Sequence, residues 1–196
     1  MRNKLTALGV SLIAMLLIFS ACAKPDVEPA DQPEDQPEVQ VGVELKHEDG
    51  NVDSSYAIGT TPGTGYLVHF SPPSTPFTID KIKIFGRIYG IGYNELTFVI
   101  EVWDKDLKEI GSASYPHQPT FVGKPTWAEL DIPDVVVNDD FYIHVFTHSP
   151  REGGVKICYN SGVPNEHSET TLDGKIDWHI PLPKETTNWL IRVIGE

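Results

Sequence analysis

The 196-residue chain carries 15 Lys and Arg against 28 Asp and Glu, a formal net charge of −13. That balance excludes nucleic acid and anionic lipid surfaces as partners, because both call for Lys and Arg to neutralise phosphate. With only Cys22 and Cys158, a disulfide framework is excluded too, so a folded domain must be stabilised by its core.

In chain order, residues 1–21 come first. Met1–Lys4 is a basic start, Leu5–Phe19 is apolar, and Ser20-Ala21 places small residues before Cys22. This is the pattern of a secretory signal, and its apolar run is too short for a comfortable membrane span. The run Leu17-Ile18-Phe19-Ser20-Ala21-Cys22 resembles the lipobox of bacterial lipoproteins, with Phe19 where that family prefers Leu. The resemblance implies cleavage before Cys22 and lipidation of Cys22, which then anchors the protein on the extracytoplasmic side of a membrane. An ordinary cleaved secretory signal is the other reading. Ala23, rather than Asp, after the cysteine resembles the sorting signal for an outer membrane.

Residues 22–40 form the expected tether. Pro25, Pro29, Pro33 and Pro37 recur among six acids and one base. Such a segment has nothing to bury and stays extended. At ~3.1 Å per residue it reaches at most roughly 55 Å. Residues 41–196 hold 22 acids and 12 bases, a net −10, and are long enough for one domain with a full core.

That domain reads as all-β. Apolar and polar residues alternate over Gly65–Phe70 and over Phe77–Phe85, where Ile79, Ile82 and Ile84 are the apolar members. Leu96, Phe98, Ile100 and Val102 share one face of the next strand. Asp104-Lys105-Asp106 turns the chain into Leu107–Ala113 as a hairpin. Trp127–Ile132 is broken by Pro133-Asp134 and resumes at Val135–Val137. Asn138-Asp139-Asp140 leads into Phe141–Thr147, Gly153-Gly154 into Val155–Tyr159, and the chain closes on Asn188–Ile194. Residues 160–187 read as irregular, with one short strand near Trp178 and room for a helical turn. Eight to ten short strands punctuated by turns predict an antiparallel β-sandwich, a jelly roll.

Several segments carry a resemblance. Tyr66-Leu-Val-His-Phe-Ser-Pro-Pro73, Phe98-Val-Ile-Glu-Val-Trp-Asp104, Trp127-Ala-Glu-Leu-Asp-Ile-Pro133, Asp140-Phe-Tyr-Ile143 and Asn188-Trp-Leu-Ile-Arg192 resemble an uncharacterised jelly-roll domain that recurs in surface proteins of bacteria and archaea. Its architecture is similar to that of galactose-binding-like and carbohydrate-binding modules. The resemblance implies a fold and an extracellular setting, and it carries no ligand or catalytic residues.

No catalytic motif stands out. There is no G-x-S-x-G elbow and no H-E-x-x-H helix, and Gly90-Ile91-Gly92 lacks the third glycine of a dinucleotide loop. The expectation is therefore a binding protein and not an enzyme. Tyr142, His144, Phe146 and His148 alternate outward as an aromatic and polar stripe, either a covered strand face or one wall of a ligand groove. At ~3.3 Å per residue, His144 and His148 are about 13 Å apart and cannot share a metal. Trp103 and Trp178 are candidates to stack on a sugar; core packing is the default for any tryptophan. Asp49, Asn51 and Asp53 offer alternate oxygens to a structural calcium, or form a simple turn. Cys158 reads as a small buried side chain. Lys81, Lys83, Arg87 and Arg192 read as outward strand residues paired with acids, or else as a basic patch. No cofactor beyond calcium is expected. The sequence thus predicts an envelope lipoprotein that binds a glycan or an envelope protein. The alternatives are an assembly subunit that docks another envelope protein and, further off, a hydrolase with no recognisable motif.

Overall fold

The computed structural model describes residues 42–91, 95–150 and 152–196. The expected signal segment, Cys22 and the expected tether lie outside those residues. Thirteen strands follow one another: β1 (Val43–Leu45), β2 (Ser54–Tyr56), β3 (Gly65–Phe70), β4 (Phe77–Gly90), β5 (Thr97–Asp104), β6 (Glu109–Pro116), β7 (Thr126–Val137), β8 (Phe141–Phe146), β9 (Gly153–Asn160), β10 (Ser168–Leu172), β11 (Lys175–Ile176), β12 (Asn188–Trp189) and β13 (Ile191–Gly195). The one helical element among the described residues is a short turn, α1 (His117–Thr120), between β6 and β7. The sequence had room for such a turn in 160–187. That segment instead supplies β10 and β11, whose Ser-Glu-Thr-Thr pattern lacks an apolar alternation to announce it.

The topology is a set of nested antiparallel pairs. β5 pairs β6, β4 pairs β7, β3 pairs β8 and β2 pairs β9. This is one long hairpin, rolled so that β4 also meets β9 and β5 also meets β8. Rolling splits it into two sheets, β2-β9-β4-β7 and β3-β8-β5-β6, the order of a jelly roll. β10 and β11 extend the second sheet beyond β3. β12 and β13 enter the first sheet where β4 and β9 diverge. β12 pairs β9 and β13 pairs β4. Between them, Leu190 donates its N–H to Cys158 and accepts from Phe85 N–H. β1 completes that edge on β13.

Period-two alternation explains the packing. Phe77, Ile79, Ile82, Ile84 and Ile88 of β4 point inward against Phe98, Ile100 and Val102 of β5 and Phe141, Ile143 and Val145 of β8. The step from Ile79 to Ile82 breaks the alternation, and a register shift opposite β7 absorbs it. The Pro133-Asp134 break is the other half of this irregularity. It does not end a strand: β7 runs through it, with Ile132 and Val135 both buried. A proline without an N–H is tolerated at such a bulge. Each fully buried aromatic or branched side chain contributes about 1.5–3 kcal/mol, so this layer holds the sheets together. Cys158 is buried, and burial pushes its thiol up to about 11, which leaves it unreactive.

Candidate functional site

The outer face of the second sheet carries the stripe read from the sequence, but neighbours close much of it. Trp103, Tyr142 and His144 do face outward. His144 is nevertheless only 1% exposed. Its ring stacks on the Trp103 indole at 4.4 Å, and its Nδ1 donates to Glu101 at 2.9 Å. Thr171 Oγ1 lies 2.9 Å from Nε2, and Trp103 Nε1 donates to the same Glu101 oxygen. The hydrogen bond from His144 helps hold the Glu101 carboxyl below its usual range. Gly65 is required beneath this ring, since a Cβ there would fall 2.5 Å from His144 Nε2. Tyr142 is half-buried against His69. Phe146 and His148 stack on each other at 5.5 Å, with His148 at a positive φ beyond the strand end. The stripe is therefore three separate clusters. Trp178 is half-buried, stacked on Trp189, with its N–H donating to Leu182. The irregular sequence around it had pointed to exposure.

At the end of this sheet lies a histidine stack. His47 packs on His167 at 3.7 Å and donates to the His69 carbonyl, and His69 pairs with Asp140. Burial, reinforced by the neighbouring His167, holds His47 down to about 4.

The Asp49 segment uses its oxygens on protein donors. Asp49 accepts from the backbone and side chain of Asn51 and from Asn160 Nδ2. Asp53 accepts from the N–H and hydroxyl of Ser161. These bonds fasten the entering chain to the end of β9, as a turn does. Among the described residues no group of three or more His, Cys, Asp and Glu is arranged to hold a metal. Asp104 likewise caps its own turn through the N–H groups of Asp106 and Lys108.

A cleft of about 750 Å³ opens on the first sheet instead. Ser55 and Tyr56 come from β2, Ala57, Gly59 and Thr60 from the following loop, Tyr89 from β4, Ser149, Pro150 and Glu152 from the β8–β9 loop, and Lys156 from β9. None of the stripe residues lines it. The walls are fixed from behind. Buried Tyr66 donates to the Tyr56 carbonyl and accepts from Ile58 N–H, and burial raises its own pKa. Ser149 Oγ bonds both backbone groups of Val155. Tyr89 donates to the Pro150 carbonyl at 2.9 Å, and its ring carries Lys156 Nζ at 4.6 Å from the centroid. Burial first and Glu152 second raise the Tyr89 pKa. Gly90 makes the rim possible: it sits at φ +70, and a Cβ there would lie 1.9 Å from the Glu152 carbonyl oxygen. The Tyr89 ring, hydroxyls, an ammonium and a carboxylate thus line a ligand-sized space, while Tyr56, opposite inward Ile157, packs against the core.

From the sequence alone Tyr89 reads as a loop or edge aromatic, and Arg87 only as an alternating base. β2, three residues long, has no periodicity to read. The one sequence signal for the cleft was glycine at Gly90 and Gly153-Gly154, where strands approach closely.

Neither a protein-family profile nor any curated protein matches the chain.

Proposed function

We propose that this protein is an envelope-anchored binding module whose sandwich domain captures a glycan in the cleft beside β2, β4 and β9. The observation that carries the reading is the lining of that cleft, with the Tyr89 ring beside Ser55, Thr60, Glu152 and Lys156. A pyranose offers an apolar face to an aromatic ring and a rim of hydroxyls to polar groups, and this lining matches both. Trp103, Tyr142, His144 and Phe146 support the walls of the other sheet in this reading and do not contact the ligand. The lipobox-like run at Cys22 and the acidic proline tether place the module clear of the membrane surface, since lipoprotein modification supplies the several acyl chains that stable anchoring needs.

Two experiments test the two halves. Thermal unfolding of the full chain against soluble glycans measures ligand binding through native-state stabilisation. A glycan-dependent rise in Tm, abolished by Tyr89→Ala, supports capture; no rise with any glycan at millimolar concentration removes it. Cys22→Ala is expected to move the protein from the membrane fraction to the soluble one. Continued membrane retention of that variant would refute the lipid anchor.

A further inference from the structure

We infer that the cleft recognises an anionic sugar residue, through Lys156 with Arg87 as its adjacent second cation. The inference rests on the glycan reading of the same cleft and narrows it to a saccharide bearing a carboxylate, sulfate or phosphate.

Arg87 and Lys156 stand directly opposite each other in the antiparallel β4–β9 pair. Like charges in that relation repel and destabilise a sheet. Among the described residues neither half-buried cation has a carboxylate oxygen within 4.0 Å; exposed Lys46, Lys108, Lys124 and Lys175 also lack one, whereas Lys81, Lys83, Lys105, Lys184 and Arg192 each have one. Shortage of acids is not the reason, because residues 41–196 hold 22 acids to 12 bases. Arg87 Nε is buried with no hydrogen-bond partner, a donor left unsatisfied at real cost. Lys156 reaches the cleft wall, where its ammonium rests on the Tyr89 ring and its remaining donors are free of protein carboxylates.

An anion seated against Lys156 would offset the repulsion between the two cations, and partial burial limits screening by salt. Tyr89 then holds the Lys156 ammonium beside the sugar ring that carries the charge. Ser55 and Thr60 offer hydroxyls to its edge. Exposed Glu152, on the rim, is placed to accept from sugar hydroxyls at the uncharged end.

The test is calorimetric titration of the full chain, solubilised in mild detergent, with three oligosaccharides of equal length: a hexuronate oligomer, its neutral hexose counterpart and a sulfated form of the neutral one. Parent, Lys156→Gln, Lys156→Arg, Arg87→Gln and Lys83→Gln are compared. One anionic oligomer is expected to bind at least about tenfold tighter than the neutral one, the scale of a charge-assisted hydrogen bond. Which anionic arm binds identifies the anion. Lys156→Gln should erase that preference, Lys156→Arg retain it, Arg87→Gln weaken it, and Lys83→Gln leave it unchanged. Neutral and anionic oligomers binding equally, with Lys156→Gln without effect, would overturn the inference and leave the glycan reading standing. No binding of any oligomer to the parent chain would overturn both. Unfolding temperatures of the variants separate loss of the site from loss of the fold.

Discussion

The outer face of the first sheet has two halves that treat charge in opposite ways. Over β1, β13, the start of β4 and β7, every cation is neutralised. Lys83 bonds Glu44, Arg192 bonds Glu44 and Glu48, and Lys81 bonds Glu129. Arg192 also lies over the Trp127 ring at 4.2 Å. Over the end of β4 and the start of β9, Arg87 and Lys156 face each other without such partners. The first half is structural: its charges hold the entering chain to the C-terminal strand. The second half leaves attraction unspent beside an open cleft. The difference separates cations that maintain the fold from cations that are available to a ligand.

Substitutions can break or sharpen this contrast. The largest effect is expected from Arg192→Met. Glu48 has a fully buried side chain and would lose its guanidinium partner, keeping only the Gly50 N–H. Breaking a buried pair from one side costs about 3 kcal/mol or more, measurable as a lower urea midpoint with unchanged slope. Next is Gly90→Ala, which forces a side chain onto the Glu152 carbonyl at a positive φ. It is expected to cost about 2 kcal/mol and to weaken cleft binding more than a distant substitution of equal cost would.

A smaller effect concerns pH. His47 titrates at about 4 in the folded protein, below the ordinary histidine value, because burial and His167 disfavour its charge. Above pH ~6.5 both folded and unfolded states hold it neutral, and it costs nothing. As pH falls from there toward 4 the unfolded state takes up the proton first, so stability declines through that window. His47→Phe keeps an aromatic ring on His167 and should flatten that part of the curve. An unchanged slope between pH 6.5 and 4 would show that the stack does not govern it. Smallest of all is Lys156→Met. If its charge serves a ligand and not the fold, stability of the unliganded protein should stay within about 0.5 kcal/mol of the parent or rise slightly. A loss comparable to that of Arg192→Met would erase the distinction between the two halves.

Much of the fold was legible because it rests on local alternation. The inward residues of β3, β4, β5, β7 and β8 can be read directly from period two, and so can the turns that separate them. β1 and β2 were not legible, being three residues long and strand-like only through their partners, whereas β11 lies beside the short strand expected near Trp178 and β12 opens the expected closing strand Asn188–Ile194. β10 was missed because its buried residues are Ser168, Thr170 and Thr171, polar side chains satisfied by the Trp189 N–H of β12, the Asp177 carbonyl and His144 of β8 respectively. The stripe on β8 was placed on the correct face. A covered face was one of its two readings; what covers His144 was not legible, since Trp103, Glu101 and Thr171 reach it from two other strands.

The sequence alone determined that this is an acidic all-β domain with a single buried thiol and a sandwich core. Alternation, charge and cysteine count are properties of neighbours along the chain. Tertiary structure decided which cations are paired, which aromatics are covered and where a cleft opens. Those depend on the rolling that brings β4 onto β9, which places Arg87 beside Lys156 across 69 positions of sequence. Charge neutralisation and ring burial act through space, and local pattern holds no record of that pairing.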